Sequence, residues 1–259
     1  IVGNGFVGNA VYQNFRDKTQ CKVYDTDKNR SLNSLGDVIN QEFIFVCLPT
    51  PMRYGGECDL SILDNFFEGL PDHITGTFVI KSTVPVGTTK KYYERHNVIH
   101  NPEFLTARNA IKDFANSERN IVGGDMDLCV DFVAMFEKFF PEIPSIITTS
   151  DESEAIKYFS NTFLAYKVAY FNKIYDFCQA VDMDYDVVCE GVTADSRIGK
   201  SHTKVPGIDN DRGFGGTCFP KDLNSLIVQM ENLDVNADML KEVWKYNQQI
   251  RKVIDWPVT

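Results

Sequence analysis

The chain has 259 residues, with 26 Lys and Arg against 36 Asp and Glu and a formal net charge of -10. That length suits one or two domains with a sizeable core, and the acidic balance argues against a nucleic-acid or general anionic-membrane surface while leaving room for a locally basic pocket. No apolar run approaches the ~20 residues of a membrane span and no signal peptide is visible, so a cytoplasmic protein without nucleic-acid or membrane partners is expected.

Ile1 and Val2 read as the end of a strand entering Gly3-Asn4-Gly5-Phe6-Val7-Gly8, a G-x-G-x-x-G turn, and then a helix from Asn9 to Phe15. Glycines at these places permit the tight turn, the approach of a pyrophosphate and close helix-strand packing. A second strand, Cys21 to Tyr24, ends at Asp25, where an acidic side chain would accept hydrogen bonds from an adenosine ribose and repel a 2′-phosphate. NAD is therefore expected; Lys28 and Arg30 nearby keep NADP as the alternative. The chain opens inside this strand without a methionine, and a few preceding residues are expected to be missing.

Residues 1 to 150 are expected to form an α/β domain, a Rossmann-type doubly wound parallel sheet. Its further strands are Phe43–Leu48, Thr77–Ile80, Asn97–Ile99, Ile121–Gly123 and Ser145–Thr148. The loop Pro49-Thr50-Pro51 follows a strand's carboxyl end, the edge where such sheets bind ligands. From Asp151, with Glu154 as its capping-box partner, one long helix runs without Gly or Pro to Met183. Its aromatics, among them Phe159, Phe163, Tyr166, Tyr170 and Phe177, cover several faces, which predicts burial against its own sheet and against another subunit. Residues 151 to 259 are then a helical second domain carrying the dimer interface, with a further helix after Asp222.

Lys157 and Asn161 are spaced i, i+4 and share a helix face; a solvated stripe is the plain alternative to a functional pair. Polar loops follow strands at Lys81 to Thr89 and at His100 to Leu105, and another runs from Arg197 to His202. The segment Gly213 to Asp222 mounts Cys218 on a glycine turn beside Lys221 and Asp222, an arrangement suited to a reactive thiol, although a lone cysteine can equally be structural. The seven cysteines, at 21, 47, 58, 129, 178, 189 and 218, form no C-x-x-C pair and no Cys/His cluster, so reduced thiols and no metal site are expected.

With these motifs in this order, nearly the whole chain resembles the UDP-glucose 6-dehydrogenase family, within the wider UDP-glucose/GDP-mannose dehydrogenases. The carriers are the glycine turn, Ser82 to Thr89, Asn101-Pro102-Glu103-Phe104-Leu105, Ala110-Ile111-Lys112-Asp113, the Lys157 and Asn161 helix, and Gly213 to Asp222. The resemblance implies a four-electron oxidation at C6 of a nucleotide sugar by a homodimer, with two NAD used in succession and a Cys218 thioester on the path. By the same resemblance Lys157 and Asn161 hold the developing alkoxide, Asp222 and Glu103 handle protons and water, and Thr83 holds that water or the nicotinamide side.

On the cofactor side the resemblance implies the turn residues Gly3, Gly5, Phe6, Val7 and Gly8 with Asp25 and Lys28, and then Pro49, Thr50, Thr83, Glu103 and Lys221. For the sugar nucleotide it implies Glu103, Phe104, Leu105, Lys157, Asn161 and Cys218 together with Arg197, His202, Gly207, Phe214 and Gly215. Arg197 would reach into a neighbouring subunit; its plain alternative is an ion pair with Asp195. GDP-mannose, a UDP-N-acetylhexosamine and a catalytically idle remnant are the alternatives to UDP-glucose oxidation.

Two departures stand out. Ala107 occupies the place of a second family glutamate, and family enzymes continue into a further domain that closes over the UDP, so this chain is either truncated or a short variant.

Overall fold

The computed structural model describes residues 1–256, 258 and 259. The chain separates into two compact units, one of residues 1–50 and 59–157, the other of 51–58 and 158–259.

The first unit is built on five strands, β1 (Phe43–Val46), β2 (Thr77–Ile80), β3 (Val98–His100), β4 (Asn120–Gly123) and β5 (Ser145–Thr148), in the spatial order β1-β2-β3-β4-β5. Successive side chains point to opposite faces. Phe45, Val79, Ile99 and Val122 therefore join one core cluster, while Ile44, Val46, Phe78, Ile80 and Val98 join another. The first cluster is closed by α1 (Phe6–Phe15), α5 (Ala110–Ala115) and α6 (Met126–Phe139), and the second by α2 (Leu35–Ile39), α3 (Ser61–Glu68) and α4 (Thr88–Tyr93). Helices on both faces make this the doubly wound α/β fold that the alternating pattern predicts.

Two elements depart from expectation. β4 pairs antiparallel with β3, through His100 and Gly123, while the other three pairings are parallel. Between them α5 has only six residues and spans about 9 Å, too little for a full crossover, and it packs on α1. The predicted strand Cys21–Tyr24 and the strand at Ile1-Val2 shrink to single bridges: Val2 pairs with Tyr24 on one side and Val46 on the other. Gly3 then turns to φ +84 and ends the ladder.

The long helix, α7 (Ser150–Ala180), begins in the first unit and continues into the second. Its capping box is not Asp151 with Glu154. Thr149 and Glu152 make it instead: Thr149 N–H donates to the Glu152 carboxylate at 2.8 Å and Glu152 N–H to Thr149 Oγ1 at 3.3 Å. The helix stops three residues short of Met183, as Asp182 adopts a left-handed φ of 55.

In the second unit the inner face of α7 packs Tyr158, Ala165 and Ala169 against α9 (Phe219–Asn232) and α10 (Asp238–Ile250). Phe171 and Cys178 pack against Tyr185 of α8 (Tyr185–Thr193), a helix the sequence reading did not separate from its surroundings. Among the described residues no helix is long and apolar enough to cross a membrane.

Candidate functional site

In the first unit the glycine turn leads directly into α1. A Cβ on Gly8 would lie 1.9 Å from the Gly3 carbonyl oxygen, so only glycine lets the helix seat on the turn. Gly5 is the N-cap and offers no side chain, which leaves the N–H groups of Phe6, Val7 and Gly8 at the positive end of the helix dipole. Asp25 stands beside them: its carboxylate accepts from Asn4 N–H at 2.6 Å and from Asp27 N–H at 2.8 Å. The Asn4 Oδ1 atom is buried there without a hydrogen-bond donor. Phosphate oxygens at the helix end and ribose hydroxyls donating to Asp25 and Asn4 would answer these groups, so the residues present fit a dinucleotide. Lys28 and Pro49 are exposed, whereas Thr50 is buried and donates to the Thr83 carbonyl at 2.8 Å, tying the loops after β1 and β2 together.

A buried ion pair joins the loop after β3 to α7. Lys157 Nζ donates to the Glu103 main-chain oxygen at 2.6 Å and to its carboxylate at 3.0 Å, with the two side chains only 3% and 7% exposed. The second Glu103 oxygen accepts from Leu105 N–H at 2.6 Å, and the ammonium lies 5.2 Å from the centre of the Phe104 ring. Lys157 is therefore not part of a solvated stripe.

Three residues earlier on α7, Glu154 accepts from Gly87 N–H, Thr89 N–H and Thr89 Oγ1 at 2.6 to 2.7 Å. Burial pushes this carboxyl up to about 7 against the pull of those donors. It fixes the start of α4 and with it the loop carrying Thr83. The sequence reading gave Glu154 to a helix cap and missed this role; its i, i+3 spacing from Lys157 was the available signal.

Two further buried groups went unread. Lys81 Nζ donates to Asn101 Oδ1 at 2.7 Å, and burial lowers its pKa to about 8. His100 is wholly buried, with Nδ1 2.8 Å from Ser153 Oγ and Nε2 3.3 Å from the Ser82 carbonyl, so Nε2 carries the proton. Burial lowers its pKa to about 3. The unfolded chain, near the ordinary 6.5, then binds more protons than the native state between those values, and stability falls as pH drops below 6.5. Urea titration at pH 7 and pH 5 should show the unsubstituted protein losing about 2 kcal/mol more than His100→Gln over that interval.

In the second unit Cys218, partly exposed, occupies the N-cap position of α9, with Pro220 in the first turn where a missing N–H does no harm. The helix thus starts before Asp222 rather than after it. Asp222 is fully buried, accepts from Asn161 Nδ2 at 2.5 Å and pairs with Lys221. Burial pulls the Lys221 ammonium down, but the charges of Asp222, Cys58 and Cys218 together with the Asp222 hydrogen bond outweigh it and leave the pKa above its ordinary value. Asn161 and Lys157 lie one turn apart on α7, each committed to a buried carboxylate.

The other predicted substrate contacts of the second unit have partners of their own. Arg197 is 87% exposed and forks onto Asp195 through Nε and Nη2. His202 sits in a left-handed backbone with its ring 5.6 Å from that of Phe219. Gly207 N–H closes a turn onto the Asp211 carbonyl, and Phe214 is buried beside the half-buried Gly215.

Residues 31–142 match the NAD binding domain of the UDP-glucose/GDP-mannose dehydrogenase family, and residues 151–249 match its central domain. The chain belongs to this family. NAD is its cofactor, as expected from the sequence. The chain is 30% identical to the UDP-glucose 6-dehydrogenase TuaD of Bacillus subtilis across 97% of its own length, and spans 63% of that relative. Among solved structures it is similar to a UDP-glucose dehydrogenase from the archaeon Pyrobaculum islandicum, with a TM-score of 0.85, 25% identity, and coverage of 96% of this chain and 67% of that one. A UDP-D-ManNAc dehydrogenase from Pyrococcus horikoshii shares the fold, with a TM-score of 0.81 at 19% identity over 96% of this chain and 68% of that one.

Proposed function

We propose that this protein oxidises UDP-glucose to UDP-glucuronate, an NAD-dependent removal of four electrons at C6. The observation that carries the reading is the pair of buried carboxylate contacts on one helix, Lys157 with Glu103 and Asn161 with Asp222, in a chain that also holds Cys218 at a helix N-terminus.

The glycine turn and the Phe6, Val7 and Gly8 N–H groups hold the pyrophosphate, while Asp25 takes ribose hydroxyls and disfavours a 2′-phosphate. Bound NAD supplies a hydride acceptor for each of two oxidations. In the first, C6 loses a hydride and its hydroxyl a proton, which Asp222 or Glu103 receives, giving an aldehyde. The Cys218 thiolate then forms a bond to that carbon, and the oxygen becomes an alkoxide held by Lys157 and Asn161. Loss of a second hydride leaves a thioester. Water, oriented by Glu103 or Thr83, attacks it and breaks the C–S bond, freeing the acid and restoring the thiolate.

Arg197 acts in this proposal on the pyrophosphate of the substrate bound to a partner subunit, which requires its exchange of the exposed Asp195 for a better bidentate anion. A homodimer through α7 is supported by Phe159 and Phe163, 55% and 64% exposed on a helix whose other face is buried. GDP-mannose and a UDP-N-acetylhexosamine are the alternative substrates within the family. Initial rates with UDP-glucose, UDP-N-acetylmannosamine and GDP-mannose at equal concentration test the choice: UDP-glucose should give a kcat/KM at least about tenfold above the others. A higher value for either competitor would transfer the assignment to that sugar.

A further inference from the structure

We propose that Asn247, on α10, is a positioning residue that sets the place of the Gly213–Cys218 loop and thereby of the Cys218 thiol, an inference that rests on reading Cys218 as the nucleophile. Asn247 is 0% exposed. Its Oδ1 accepts from Phe214 N–H at 2.7 Å, and its Nδ2 donates to the Phe214 carbonyl at 2.9 Å. One amide thus answers both backbone groups of one buried residue, as a neighbouring strand would. A polar side chain inside a packed helix interface is costly unless its hydrogen bonds are made, and asparagine is a weak helix former. An aliphatic residue would serve α10 better at that position, so the amide's work is done on the loop.

The backbone is pressed onto this amide. Gly213 has φ +66, and a Cβ there would lie 2.2 Å from Asn247 Oδ1. Gly213 N–H also donates to Asn172 Oδ1 at 3.2 Å, and Gly216 N–H to Asp255 Oδ1 at 3.0 Å. Only Gly215, Gly216 and Thr217 separate Phe214 from Cys218 at the head of α9. Two of those three are glycines with little stiffness of their own, so the fixed point at Phe214 limits where the thiol can sit. Aspartate at 247 would keep the acceptor and lose the donor. Glutamine would overreach the space that Gly213 leaves.

Two measurements on the 259-residue chain test this without reading turnover. In the unsubstituted protein, amide hydrogen exchange should leave Phe214 N–H protected at least about a hundredfold over Thr217 N–H. Equal exchange of the two would overturn the proposal. In Asn247→Asp and Gly213→Ala, checked for a cooperative melt, iodoacetamide at pH 9.5 should label Cys218 at least about fivefold faster relative to Cys189 in the same molecule. A folded variant of either kind with an unchanged ratio would also overturn it. Failure of the nucleophile reading appears elsewhere, as full turnover in Cys218→Ser, and would leave the labelling result standing.

Discussion

Cys218→Ser is expected to lower steady NADH formation from UDP-glucose by at least about a thousandfold while leaving NAD affinity unchanged. The reason lies in the second oxidation. An aldehyde has no hydride to give until a nucleophile adds to its carbonyl carbon, and a serine hydroxyl, far less acidic than a thiol, adds poorly at neutral pH. The first oxidation does not need the thiol, so a rapid-mixing experiment should still show a burst approaching one NADH per site before the reaction stalls. Cys218 stands at the head of α9 with Thr217 Oγ1 3.8 Å from its sulfur, and serine fits there without steric cost. A change in melting temperature large enough to explain the loss is therefore not expected. An enzyme that performs only one hydride transfer, such as a dehydrogenase of small hydroxy acids, would keep its turnover in this variant. Undiminished steady activity would remove covalent catalysis from the account.

Lys157→Ala is the second large effect, and it acts on two quantities. Removing the ammonium leaves the Glu103 carboxylate buried at 7% exposure, with the Leu105 N–H as the remaining hydrogen-bond donor among the described residues. Breaking one partner of a buried pair typically costs about 3 to 5 kcal/mol of stability, far more than loss of a surface pair such as Lys245 with Glu242. Catalysis should fall separately, by about a hundred- to a thousandfold in kcat, because the donor to the developing alkoxide is gone. The double variant Lys157→Met with Glu103→Gln distinguishes the two. It removes the stranded charge and should recover most of the stability in urea titration, yet remain at least as slow as Lys157→Ala, since Glu103 also serves the reaction. Recovery of kcat along with stability would mean that Lys157 serves the fold and not the reaction.

The elements that could be read from sequence are those whose signal is local. The glycine turn, the short apolar strand runs from Phe43 to Thr148 and the uninterrupted run from Asp151 each carry their geometry in neighbouring residues, and β2 and β5 have the bounds expected of them. The antiparallel β4 was not legible, since strand direction depends on how far a connection reaches and not on the strand's own residues. Distant side-chain partners were not legible. Glu154 meets Gly87 and Thr89 across more than sixty residues, and Asn247 meets Phe214 across 33. On α7 the i, i+3 spacing of Glu154 from Lys157 marks a shared polar face without naming its partner, and nothing in the periodicity of α10 marks Asn247 as a polar anchor. Arg197 illustrates the opposite case: within one chain its fork is satisfied by Asp195 two residues away, a local solution that spacing alone could suggest. The cap of α7 was misread because Thr149, one residue before the helix, competes for the same role as Asp151 and frees Glu154 for the loop.

The measurement that bears most directly on the central claim is the number of NADH formed per UDP-glucose consumed, with NAD in excess and the products resolved by chromatography. The account predicts two NADH for each sugar and UDP-glucuronate as the only nucleotide-sugar product. One NADH per sugar with an accumulating aldehyde, or no NADH from a sample that binds both ligands, would contradict it.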